Sequence, residues 1–252
     1  MSGDLLRIEN VGIAFGGLKV LTDVNLTVKQ GETMGLIGPN GAGKTTLFNI
    51  VTGFLSPSHG EVVFEGNRIT QTRTAQRVRM GIVRTFQKSM VFPDLSVMEN
   101  LALALRARTH GYAWWRSGAA LAAADAKALE ILRKAGMADR AGRVVSSMSY
   151  GDQRIVDVLI SLAMEPKLLL LDEPTAGLSK AEGEHLIEVI RTLCGNTSLV
   201  LVAHDLDIVF AVCDRVAVLD LGRMIACDTP DGIRAHEGAQ AAYLGKGKEA
   251  VQ

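Results

Sequence analysis

Gly38-Pro39-Asn40-Gly41-Ala42-Gly43-Lys44-Thr45 fits the pattern G-x-x-x-x-G-K-[ST], a spacing suited to holding phosphate. Glycines let successive backbone N–H groups curl around an anion with no Cβ in the way. The apolar run Thr33–Ile37 before the loop reads as a short buried strand, and Thr46-Leu47-Phe48-Asn49-Ile50-Val51 after it opens a helix. That helix adds its unpaired N–H groups and the positive end of its dipole. Lys44 is placed to reach terminal phosphates, and the Thr45 hydroxyl to ligate Mg²⁺.

A second cluster lies far along the chain. Leu168-Leu169-Leu170-Leu171-Asp172-Glu173 is an apolar run that ends in two carboxylates. In a buried parallel strand they fall at its C-terminal edge, where ligands bind in open α/β sheets. Asp172 is then the candidate for holding Mg²⁺ and its water. Glu173 is the candidate for acting on the water that attacks the terminal phosphate, as general base or as orienting group. The plainer reading is that the pair caps the next loop.

These residues need elements to position them. Leu6–Val11 and Val24–Val28 read as strands around a turn at Gly16-Gly17, and Glu61–Phe64 is another, closed by Glu65-Gly66-Asn67. Gly81–Gln87 reads as a further short strand. From Ser96 to Ala135 alanine and leucine dominate; Ser96-Val97-Met98-Glu99 has capping-box form, and helices are expected over Val97–Ala107 and Leu121–Ala135. Beyond Ser149 the pattern is helix 151–164, strand Leu168–Leu171, a helix from Lys180, strand Ser198–Ala203, helix Leu206–Val212 and strand Arg215–Leu219. This alternation predicts a mostly parallel sheet between helices.

Bulk composition narrows the partners. Hydrophobic residues are 48% of the 252, enough to bury a sizeable core. Basic and acidic residues balance at 27 each, so no global charge draws nucleic acid or an anionic bilayer. Cys194, Cys213 and Cys227 lack ligand spacing and read as small buried hydrophobes in a reducing compartment. The N-terminus shows no signal-peptide pattern, and no stretch approaches the roughly 18 apolar residues of a membrane span. A soluble cytoplasmic protein is expected.

In sum these motifs resemble the ATP-binding subunits of ABC transporters. Met148-Ser149-Tyr150-Gly151-Asp152-Gln153-Arg154 is similar to that family's signature segment, with Tyr150 and Asp152 departing from its consensus. The resemblance implies an α/β fold: a P-loop NTPase core with a mostly parallel sheet, an N-terminal antiparallel β subdomain and an α-helical insert at about 90–147. It implies that MgATP is bound by Gly38, Pro39, Asn40, Gly41, Ala42, Gly43, Lys44, Thr45 and Thr46, with Phe15 stacking on adenine. Ser149 and Gly151 would meet the nucleotide held by the other subunit. Gln87 would touch Mg²⁺ beside Thr45 and Asp172, and His204 would contact the terminal phosphate next to Glu173. In the dimer-contact loop Ala176-Gly177-Leu178-Ser179, Ser179 stands where aspartate is usual; Ser179-Lys180-Ala181-Glu182 is still a capping box.

Gly81–Gln87 and Ala242-Tyr243-Leu244-Gly245 look like the branched-chain amino acid importer branch, whose relatives move urea, other amides or aromatic acids. The implied partners are a second ATP-binding subunit, identical or not, transmembrane permease subunits and, indirectly, a solute-binding protein. The implied place is the cytoplasmic face of the inner membrane. Met90-Val91, Phe92-Pro93-Asp94-Leu95 and Trp114-Trp115 are candidate permease contacts. Two rival readings fit the pattern less well. A non-transport relative in DNA repair or translation would be expected to carry coiled-coil insertions, a second nucleotide domain or a basic arm. A small-molecule kinase leaves Ser149-Tyr150-Gly151 and His204 unexplained.

Overall fold

A computed structural model of the chain describes residues 3–85, 91–110 and 118–244. Two sheets organise it. β1 (Asp4–Phe15) and β2 (Leu18–Lys29) form a hairpin, joined on the β1 side by β4 (His59–Phe64) and β5 (Asn67–Arg68), all antiparallel in the order β2-β1-β4-β5. The hairpin loop Gly16-Gly17 has φ of 53° and 91°, the left-handed pair that a two-residue turn between twisted strands requires.

The second sheet contains β3 (Thr33–Ile37), β6 (Ile82–Arg84), β7 (Leu168–Asp172), β8 (Ser198–Val202), β9 (Arg215–Asp220) and β10 (Arg223–Asp228). Its order is β10-β9-β3-β8-β7-β6, and every pairing except β10–β9 is parallel. All five residues of β7 and of β8 are buried, as expected where both faces are covered. Alternate residues feed opposite cores. Leu169, Leu171, Leu199, Leu201, Val216 and Val218 join one hydrophobic cluster, and Leu168, Leu170, Val200, Val202, Ala217 and Leu219 join the other.

The second cluster packs the sheet against α1 (Lys44–Thr52) and the antiparallel sheet. The first packs it against α3 (Val97–His110), α4 (Gly118–Lys134), α5 (Tyr150–Ala163), α6 (Lys180–Cys194) and α7 (Leu206–Val212). Helices α3 and α4 each run three residues further into the intervening segment than the sequence pattern indicates. Three helices escape the sequence reading: α2 (Thr74–Met80), α8 (Pro230–Ala235) and α9 (Glu237–Leu244). Cys194 and Cys213 are buried as expected. Cys227 is only half-buried, because it sits on the edge strand β10, where its sulfur accepts from Arg215 Nη2 at 3.0 Å.

Candidate functional site

Strands β3, β7 and β8 are parallel neighbours, so the segments leaving their C-terminal ends emerge at one edge. After β3 comes the glycine loop. A Cβ on Gly38 would lie 1.9 Å from the Leu219 carbonyl oxygen, and one on Gly43 2.6 Å from Leu21 Cδ2, so both positions demand glycine. Their φ values, 151° and 105°, are also in the range that favours glycine. Lys44 opens α1 and is buried; its Nζ folds back to donate to the carbonyls of Gly38 (2.6 Å) and Pro39 (3.0 Å). Burial pulls the ammonium below its usual pKa, and the negative charges of Glu173 and Asp172 work the other way. Both carboxylates therefore act on Lys44. Thr45 is exposed in the first turn of α1 and Thr46 is half-buried.

Asp172 ends β7 with its side chain 3% exposed. Its Oδ2 accepts from Arg84 Nη2 at 2.6 Å, while Oδ1 is buried without a hydrogen-bond partner among the described residues. A buried, unpartnered carboxylate oxygen costs free energy unless something binds it. Such an oxygen suits a hard divalent cation such as Mg²⁺, which takes oxygen ligands, and the exposed Thr45 hydroxyl on α1 is a second oxygen of the kind such a cation takes.

Glu173 follows in the left-handed region, with φ of 50°, an uncommon conformation for a residue with a long side chain. Its N–H donates to the Val202 carbonyl at 2.8 Å, tying the turn to the end of β8. Its carboxylate accepts from His204 Nε2 at 2.8 Å. His204, just past β8, is half-exposed. The pair lies at one end of a groove of about 1010 Å³ between α6 and α7.

Lys44, Asp172, Glu173 and His204 are thus gathered at one edge. Phe15, at the end of β1, is 48% exposed and so is no core residue. Gln87 lies outside the described residues. Ser149 and Gly151 lie at the start of α5, where Gly151 approaches Glu182. Ser149 is the N-cap of α5, accepting from Asp152 N, and the Tyr150 hydroxyl donates to the Ala176 carbonyl at 3.4 Å. Ser179 and Glu182 form the expected reciprocal capping box at the start of α6.

Two residues escape the sequence reading. Arg84 pairs with Asp172 and also donates to Asn49 Oδ1 on α1 at 2.6 Å. The available signal was an arginine inside a strand expected to be buried, which obliges an acidic partner nearby. Arg77 is the other; its partners are five main-chain carbonyls.

A parallel sheet carrying a glycine loop, a strand-end Asp-Glu pair and a histidine after the next strand defines a nucleotide-hydrolysing cassette. The chain belongs to the ABC transporter family, whose pattern matches residues 21–176, and it is an ATP-binding ATPase subunit of that family. It is 36% identical to the high-affinity branched-chain amino acid transport ATP-binding protein LivG of Escherichia coli (strain K12), over 98% of this chain and 100% of that one. Among solved structures, the ADP conformation of MJ1267, an ATP-binding cassette of an ABC transporter, superposes with a TM-score of 0.83 at 28% identity, covering 97% of this chain and 100% of that one. A dimeric post-hydrolysis state of the cassette MJ0796, bound to ADP and Pi, gives 0.75 at 26% identity, covering 90% and 99%. No helix among the described residues is long and apolar enough to cross a membrane.

Proposed function

We propose that this chain powers an importer of branched-chain amino acids, or of related small solutes such as urea or other amides, by binding and hydrolysing ATP. The solute class rests on the likeness to LivG. The observation that carries the site assignment is the convergence of Asp172, Glu173 and Lys44 at one sheet edge, with Glu173 tethered to His204.

In this reading the loop 38–43 and the N-terminus of α1 bind the phosphates, and Lys44 leaves the Gly38 and Pro39 carbonyls for the terminal ones. Phe15, exposed beside the turn of the first hairpin, stacks on adenine. Thr45, Asp172 and Gln87 hold Mg²⁺, which when bound offsets the charge on the terminal phosphates. Glu173 orients the attacking water and accepts its proton. Its turn is fixed by Val202 and its carboxylate by His204, which keeps the base in one place. In this reading His204 also contacts the terminal phosphate.

One copy supplies only half of each site. Ser149 and Gly151 open α5 on a separate part of the chain, and an N-terminus of this length can bind a partner's phosphate. Two nucleotides shared across a pair of copies, or a copy and a sibling subunit, then bias an open–closed equilibrium that permease subunits follow. The described part of 90–147 is the proposed permease-facing region. Phe92 there is 53% exposed, on a turn clamped by buried Asn100, which bonds Phe92 N at 2.8 Å and Phe92 O at 3.0 Å. Docked this way, the subunit sits on the cytoplasmic face of the membrane.

The test is sizing of the Glu173→Gln variant, alone and with its sibling subunit, with and without MgATP. ATP should convert monomer to dimer, and adding Ser149→Arg should prevent it. Dimers that persist in the double variant refute the shared site.

A further inference from the structure

Arg84 is 6% exposed on its side chain, and its two terminal nitrogens reach two different elements of the site. Nη2 donates to Asp172 Oδ2 at 2.6 Å on β7; Nη1 donates to Asn49 Oδ1 at 2.6 Å on α1. The guanidinium also lies over the Phe48 ring of α1, 5.5 Å from its centroid. The helix that starts at the glycine loop is thereby cross-linked to the strand that ends at the Asp-Glu pair. The occupied oxygen of Asp172 is Oδ2, which leaves Oδ1 buried without a hydrogen-bond partner among the described residues.

We infer that Arg84 is a positioning residue for the divalent cation site: gripping Asp172 by Oδ2 and α1 through Asn49, it leaves Oδ1 free to face the cation and fixes β7 against the helix that carries Thr45. This rests on the reading of Asp172 as a cation ligand. The carboxylate has another cation within its field, Lys44, whose charge interacts with it. Without Arg84, a nearly buried Asp172 turns towards that ammonium, and the cation loses a pre-set ligand. An arginine is suited to this task because its planar fork can satisfy two acceptors in fixed directions. Outer partners that orient a metal-ligating group typically matter by about 10–100-fold in metal affinity.

The experiment is titration of a fluorescent ADP with and without Mg²⁺, with EDTA for the metal-free arm, in wild type, Arg84→Met, Arg84→Lys, Asn49→Ala and Asp172→Asn. The quantity read is the ratio of metal-free to Mg²⁺ dissociation constants. Arg84→Met should lower that ratio by about tenfold or more while changing the metal-free constant less than about threefold. Arg84→Lys should recover part of it, and Asn49→Ala, which leaves the ion pair intact, should lower it in the same direction. If Arg84→Met does not fold, the lysine and Asn49 variants carry the test. A ratio unchanged or raised in the folded Arg84 and Asn49 variants, with Asp172→Asn lowering it, overturns the role of Arg84. A ratio unmoved by Asp172→Asn overturns the ligand assignment itself.

Discussion

Replacing Arg77 with Met should cost the fold about 3–5 kcal/mol, although Arg77 is remote from the chemistry. Arg77 is 1% exposed. Its five N–H donors go to five carbonyls: Nε to Thr72 (2.9 Å), Nη1 to Ile50 (2.6 Å) and Val51 (2.8 Å), Nη2 to Ile69 (2.6 Å) and Thr70 (2.9 Å). Ile50 and Ile69 carbonyls each keep a backbone donor, from Gly53 and Thr72, so the loss falls mainly on Val51, Thr70 and Thr72. Stranding three such acceptors at about 1–2 kcal/mol each gives about 3–6 kcal/mol, and Thr72, only half-buried, falls at the low end, which brings the total to about 3–5. Losing a cation at the C-terminal end of α1 adds to it, and relief of a buried charge, whose pKa burial pulls down to about 10, subtracts. For a chain of this length about 2 °C of Tm corresponds to each kcal/mol, so differential scanning calorimetry should show a drop of about 6–10 °C. Arg77→Lys keeps the charge but offers three donors on a different geometry, and should lose most of the same amount. A Met variant melting within about 2 °C of wild type would refute the reasoning, because the five contacts would then contribute nothing net.

Two further outcomes concern the site and the thiols. Lys44→Ala should abolish nucleotide binding by calorimetry, and Glu173→Gln should lower phosphate release by roughly 10²–10⁴ while retaining ATP binding. Burial pushes the Cys194 and Cys213 thiols up to about 12, so the reactive thiolate is scarce until pH approaches that value. Iodoacetamide at pH 8 should therefore leave both unmodified in the folded protein by mass spectrometry, with rapid labelling only after unfolding; prompt native labelling contradicts their burial.

The site was legible where its chemistry is local. The glycine loop, the Asp172-Glu173 step and the caps at Ser96 and Ser179 are short patterns whose geometry follows from adjacent residues, and each forms as expected. Strands β7 and β8 announced themselves as uninterrupted apolar runs. What escaped depends on distant partners or on disguised turns. Arg77 and Arg84 bond across to α1, and Arg84 also to β7; an arginine in a buried strand implies a partner for Arg84, but nothing in either one's neighbours says which segment supplies it. Strand β10 is a half-exposed edge, and the turn before it, Leu221-Gly222, has φ of 44° and 75°. That is the tight hairpin geometry usually signalled by Asn-Gly; a leucine in the first position hides it. The same geometry at Glu65-Gly66, φ 49° and 77°, was read because glycine and asparagine follow the glutamate.

The three departures from the family pattern belong to one local arrangement. Asp152 forms an ion pair with Arg140, so it holds the start of α5 against the short turn Ala138–Arg140. The Tyr150 ring lies under Arg154, 5.6 Å from its guanidinium carbon, and its hydroxyl reaches the Ala176 carbonyl. Ser179 accepts from Glu182 N, and the Glu182 carboxylate takes up the Ser179 N–H at 2.9 Å. That carboxylate sits where a Cβ on Gly151 would fall 2.8 Å away, so Gly151 is what lets the capping box and the signature turn pack together. Aspartate at 179 would cap α6 as well, so the serine is not required for the helix start. In this chain, then, Tyr150, Asp152 and Ser179 replace the usual residues with contacts made inside one copy. Those contacts join the turn at the start of α5 to the 176–182 segment within one copy, and this is the edge that the proposed shared site would use.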